Sequence, residues 1–264
     1  MPYVETEKAQ LYYELQGDAG PVVTLAHGGG GNMLEWFQQM PALLAGYRAL
    51  LFDQRGWGRS TCAVDDMQFR YFPSDALAVM DAAGVERTAI VSHAIGGWTA
   101  LATAIAAPER VAGIVMSASG GGILSDGILR VFREGPGRVV GERAKIHQVI
   151  TAPDFPAREP ALFFLMQQIA TLNQDVGAFM KRSLDPSNGV TQERLKGYRV
   201  PTLVIGGTES RIIPPDVLRD ASTQIPGAEF QEIAGAGHAP PFEKPAAFNA
   251  MTLAFLARHF PPRG

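Results

Sequence analysis

Three stretches of this chain hold side chains, or seats for side chains, that could do chemistry. Residues 89–102 read AIVSHAIGGWTALA: an apolar run, a sharp turn of small residues, then an amphipathic segment. Such a turn projects its central residue out of the fold, and that residue is Ala94. The helix that begins there points unpaired backbone N–H groups at the turn, so the N–H of Ile95 is one expected donor to a developing oxyanion. A second stretch, AHGGGGN (26–32), offers bare backbone that can approach a ligand closely, and Gly29 or Gly30 is the expected second donor. The third, GAGHAPPFEKP (235–245), presents His238 in a loop between small residues, before a double proline. Imidazole is suited to proton transfer near neutral pH. An oxyanion cradle with a base supports acyl transfer or proton abstraction, but the methyl of Ala94 cannot attack a carbonyl.

The elements that must carry these groups alternate. Strand-like runs fall at 11–15, 22–26, 48–53, 88–92, 111–116, 201–206 and 229–233, and segments of helical period at 73–84, 95–106 and 216–224. Continuous apolar strands alternating with helices predict an α/β fold, with a mostly parallel sheet flanked by helices on both faces. Residues 120–198 contain no clear strand and several helix-like runs. They are predicted to form a helical cap inserted into a core domain made of 1–119 and 199–264. Phe163, Phe164, Met166, Phe179 and Met180 either pack that cap or line an apolar cavity beneath it.

In this order the motifs resemble those of the α/β-hydrolase fold. FDQRGWGRS (52–60), at the end of the run at 48–53, resembles the family's D-x-R-G-x-G-x-S turn, SHAIGG (92–97) its nucleophile elbow, and IGGTESRIIPP (205–215) the segment that carries its acid. The resemblance implies a nucleophile, acid and histidine at 94, 209 and 238. The family's aspartate position is Ser210 here, with Glu209 one residue earlier, so Glu209 is the implied acid, accepting a hydrogen bond from His238. His27, Trp36, His93, Trp98 and Phe242 lie beside the motif loops and are candidate substrate contacts, although loop packing is the alternative for each. Asp53 and Arg55 read as turn-fixing residues, and Ser92 as the end of a strand.

Two explanations of Ala94 remain open. Either the chain is an inactivated variant of a hydrolase of a small, largely apolar ester, lactone or C–C (vinylogous diketone) substrate, or Ala94 is native. In the second case the fold serves a lyase, isomerase or cofactor-free oxygenase with His238 as base, or binds a small molecule without catalysis. Composition narrows the rest. The chain has 264 residues, 46% of them hydrophobic and 19% charged, with a net charge of −3. That predicts a large core and no electrostatic footprint for nucleic acid or anionic membrane. No secretory signal or membrane-length apolar run is present, so the expected location is cytoplasmic. The single cysteine, Cys62, and the absence of ligand-spaced histidines predict no metal and no cofactor. The expected partner is a small-molecule substrate; a monomer and a homo-oligomer both fit.

Overall fold

The computed structural model describes residues 2–135, 139, 143–174, 177 and 189–262. Nine strands among them form one sheet: β1 (Tyr3–Thr6), β2 (Ala9–Gln16), β3 (Val22–Ala26), β4 (Arg48–Phe52), β5 (Thr61–Cys62), β6 (Thr88–His93), β7 (Val111–Ser117), β8 (Thr202–Gly207) and β9 (Glu229–Ile233). The order is β1-β2-β4-β3-β6-β7-β8-β9, with β5 paired to β2. From β4 through β9 along that path every pairing is parallel, whereas β1, β2 and β5 pair antiparallel. The mostly parallel sheet flanked by helices that the sequence predicts is the architecture observed. Short β1 and β5 were not read from the sequence, since an edge strand carries no continuous apolar run.

The parallel strands are apolar throughout because both faces are covered. Side chains of a strand alternate between faces. Ile90, Ile114 and Val204 accordingly enter one core layer, and Ala89, Val91, Val115, Leu203 and Ile205 enter the other. Helices Phe72–Ala82, Gly96–Ala106 and Pro215–Thr223 lie within two residues of their predicted spans. Between β7 and β8 the described residues form helices at Asp126–Glu134, Arg143–Ile146, Phe155–Arg158 and Pro160–Thr171, and no strand. Phe155, Met166 and Ile169 from this stretch pack with Ala239 and Phe242, which follow His238. Phe164 is instead exposed, and Phe179 and Met180 lie outside the described residues. No helix among the described residues is long and apolar enough to cross a membrane.

Candidate functional site

The sharp turn after β6 is built on close backbone approach. Ala94 has φ +47°, in the left-handed region that costs a residue with a Cβ roughly 1–2 kcal/mol. Its N–H donates to the Ser117 carbonyl at 2.9 Å, which fixes the turn to the end of β7. A Cβ on Gly96 would stand 2.0 Å from the Ala26 carbonyl oxygen, and one on Gly97 2.2 Å from Ser119 Oγ. Only glycine lets the helix start this near its neighbours. Ser92 donates its hydroxyl to the Val115 carbonyl at 2.8 Å, so it is engaged within the sheet as expected.

Ala94 faces a cavity of about 170 Å³ whose wall also contains His238 and the helices between β7 and β8. The walls are mostly apolar: Ile123, Ile128, Met166, Ile169, Ile213 and Phe242 among others. Gly29, Gly30 and Ile95 line it too. The N–H groups of these three make no hydrogen bond to described residues, while the next N–H along the loop, that of Gly31, is used by the Gly28 carbonyl at 3.1 Å. Trp98 reaches the cavity, stacked on Phe69 with ring centroids 4.1 Å apart.

His238 is held from both sides of its backbone. Its N–H donates to the Ile150 carbonyl at 2.8 Å, and its carbonyl accepts from His93 Nε2 at 2.9 Å. Glu243 positions the same loop: its buried carboxylate accepts from the N–H groups of Gly237 (3.0 Å), Ala239 (3.1 Å) and Ala152 (2.8 Å). The single Glu243 side chain therefore ties the two flanks of His238 to the segment after Ile150. Burial, and then the charge of nearby His93, push the His238 pKa down to about 3. At neutral pH its ring is uncharged.

The ring partner corrects the expected acid. Ser210 Oγ lies 3.4 Å from His238 Nδ1, and Ser210 is buried. Glu209 is exposed and makes no hydrogen bond to His238. The ring contact is thus with a hydroxyl and not with the carboxylate that the resemblance implied. A carboxylate only accepts and so forces the Nδ1–H tautomer, leaving Nε2 as the base. A hydroxyl donates or accepts, and fixes neither tautomer.

Two of the expected substrate contacts are also corrected. His27 is fully buried away from the cavity: Nε2 accepts from the Gln54 N–H at 2.9 Å and Nδ1 donates to the Gly28 carbonyl at 2.8 Å. Trp36 is fully buried and packs against Phe248. Both hold loops because their rings fill space beneath them. His93, Trp98 and Phe242 do line the cavity. Asp53 acts in the turn, accepting from the N–H groups of Met33 and Arg59, each at 2.8 Å, and so joins the loop after β3 to the turn after β4. Arg55 stabilises the same turn through a buried bidentate pair with Asp75, both contacts at 2.6 Å.

One group at the cavity had no signal in the sequence. Glu35 is buried, and its Oε1 accepts from the Gly28 N–H at 2.9 Å and from His93 Nδ1 at 3.3 Å. Both ring nitrogens of His93 therefore face acceptors. Burial disfavours charge on this ring, but the Glu35 carboxylate and the His238 carbonyl outweigh it and leave the His93 pKa raised. Glu35 lies in the first turn of the 3₁₀ helix Met33–Gln38, just beyond the glycine loop. Among the described residues no group of three or more His, Cys, Asp or Glu is placed to hold a metal ion.

Comparison with known proteins gives a consistent set. The model of the alpha/beta hydrolase fold family matches residues 21–245. A putative carbamate hydrolase of Azorhizobium caulinodans is 30% identical over 97% of this chain and 98% of that protein. A 2-hydroxy-6-oxononadienedioate/2-hydroxy-6-oxononatrienedioate hydrolase of Paraburkholderia xenovorans is 28% identical, over 95% and 91%. The solved enol-lactonase of Burkholderia xenovorans superposes with a TM-score of 0.81 at 22% identity, covering 97% of this chain and 100% of that one.

Proposed function

The chain belongs to the alpha/beta hydrolase fold family, and on that premise we propose that its cavity binds a small, largely apolar carbonyl compound. The serine form of the site would hydrolyse it. An ester, lactone or vinylogous diketone fits, with the carbonyl oxygen received by the N–H groups of Ile95 and of Gly29 or Gly30. The observation that carries this reading is that three N–H groups without a hydrogen bond to described residues line one apolar cavity together with Ala94 and His238. The residues between β7 and β8 act as a cap that excludes water from it.

As the chain stands, no covalent acyl-enzyme forms, because Ala94 offers no nucleophile. Loss of a triad nucleophile costs about 10⁶ in rate, and the remaining oxyanion donors retain roughly 10³–10⁴ over water. Restoring Ala94→Ser and assaying chromogenic esters and lactones tests the reading. Turnover, and a covalent adduct with an aryl phosphonate, are expected. Neither appearing would end it.

A second reading is favoured by Ser210. A variant made to silence a hydrolase changes the nucleophile alone, whereas here the acid seat is also a hydroxyl. Neutral His238 would then serve as a general base on an acidic C–H or O–H of the bound carbonyl compound, with the same N–H groups holding the enolate oxygen. That chemistry is present in the unaltered chain and is abolished by His238→Ala.

A further inference from the structure

The cavity contains a polar group that neither reading uses. Glu35 is 8% exposed and lines the cavity. Oxygen Oε1 is occupied by the Gly28 N–H and His93 Nδ1. The other oxygen, Oε2, makes no hydrogen bond to any described residue. A Cβ on Gly31 would stand 1.9 Å from it, so the glycine loop is what lets this oxygen reach the wall of the site. Oε2 is not one of the enclosed, unpaired polar atoms of the protein, so it is open to the cavity, where a donor on a ligand can reach it.

We infer that Glu35 Oε2 is a substrate-recognition acceptor, and that the bound carbonyl compound carries a neutral hydrogen-bond donor, a hydroxyl, which docks on it. The inference rests on the proposal that the cavity takes a carbonyl compound. Charge selects the kind of donor. Glu35 already faces His93, both of whose ring nitrogens lie against acceptors and whose pKa is raised by that carboxylate. An ammonium group would add an unmatched positive charge in an apolar enclosure, whereas a hydroxyl adds none. The site then has two polar poles in an apolar shell: N–H donors for the carbonyl oxygen and one acceptor for the hydroxyl. This arrangement rejects compounds that lack the donor more strongly than it rejects a change in apolar size, because a ligand without the donor would cover the carboxylate oxygen and leave it unpaired.

The absence of a nucleophile at Ala94 allows binding to be measured without acyl-enzyme turnover. Isothermal titration of the unaltered protein with methyl 2-, 3-, 4- and 5-hydroxyhexanoate, the matching methoxy esters and the matching ammonium esters provides the test. At least one hydroxy ester is expected to bind about tenfold or more tighter than its methoxy and ammonium counterparts, the size of a charge-assisted hydrogen bond. Glu35→Gln keeps an acceptor for the Gly28 N–H but places an NH₂ at the second position. An ether oxygen satisfies that group as well as a hydroxyl does, so the hydroxy-over-methoxy ratio should fall to within about twofold. Equal binding of hydroxy and methoxy esters by the unaltered protein overturns the inference and leaves the carbonyl-binding proposal standing. So does a ratio that survives Glu35→Gln in a variant whose melting temperature is unchanged. Tighter binding of an ammonium ester overturns the choice of a neutral donor. Failure of every ester to bind, with no hydrolysis of any by the Ala94→Ser variant, overturns both.

Discussion

Replacing Ser210 by aspartate should place a charge at the side-chain contact that the His238 ring makes with position 210. Aspartate extends about one bond further than serine, which brings the present 3.4 Å contact to Nδ1 into firm hydrogen-bond range. Two unit charges at that distance, at an effective dielectric of about 20, attract by about 5 kcal/mol. Desolvating a new carboxylate at a buried position costs roughly half of this. The remaining 2–3 kcal/mol favours the imidazolium, at about 1.4 kcal/mol per pH unit. The His238 pKa should therefore rise from about 3 to about 5. Histidine-ring NMR titration reads this directly. Glu209→Gln should leave the same titration unmoved, since that carboxylate is exposed and makes no bond to the ring. Kinetics give the second readout. The Ala94→Ser, Ser210→Asp pair should exceed Ala94→Ser alone by roughly 10³-fold or more in ester hydrolysis, because an accept-only partner fixes the productive tautomer. A His238 titration that stays near 3, with the double variant no faster than the single, would refute the assignment of position 210 as the acid seat.

Two further outcomes are expected. In the turn after β6, Ala94→Gly should raise the melting temperature by about 2 °C by removing the left-handed strain, and Gly96→Ala should lower it by at least about 4 °C, since its Cβ meets the Ala26 carbonyl; differential scanning calorimetry compares them. The two buried histidines should also give stability a maximum near pH 6.5. The depressed His238 contributes stability that is lost as pH falls from about 6.5 toward about 3, and the raised His93 contributes stability that is lost as pH rises through its folded value. Thermal melts against pH should show the acid limb flattening in His238→Gln while the alkaline limb stays.

The architecture was legible in the order of residues, because the physics there is local and repeated. Fully apolar runs such as VVTLA and TAIVS have no face to offer water, so they belong in a covered parallel sheet. Small residues at 96 and 97 fit a strand that turns at once into a helix. The order of residues also determined the positions of Ala94, His238 and the glycine loop, since each follows a strand end and loops at one edge of such a sheet converge. Which side chains meet depends on how the folded elements bring distant loops together. Glu209 and Ser210 are neighbours in sequence, and residue type favours the carboxylate; the turn after β8 buries the serine against His238 and leaves the glutamate in solvent. His27 and Trp36 stand beside the motifs, yet their rings are consumed by packing beneath the loops. Glu35 had no periodic or motif signal. Its role comes from the Gly28 N–H and the His93 ring converging on it, together with the room Gly31 leaves beside it. These contacts join residues up to 58 positions apart and exist only once the strands have paired.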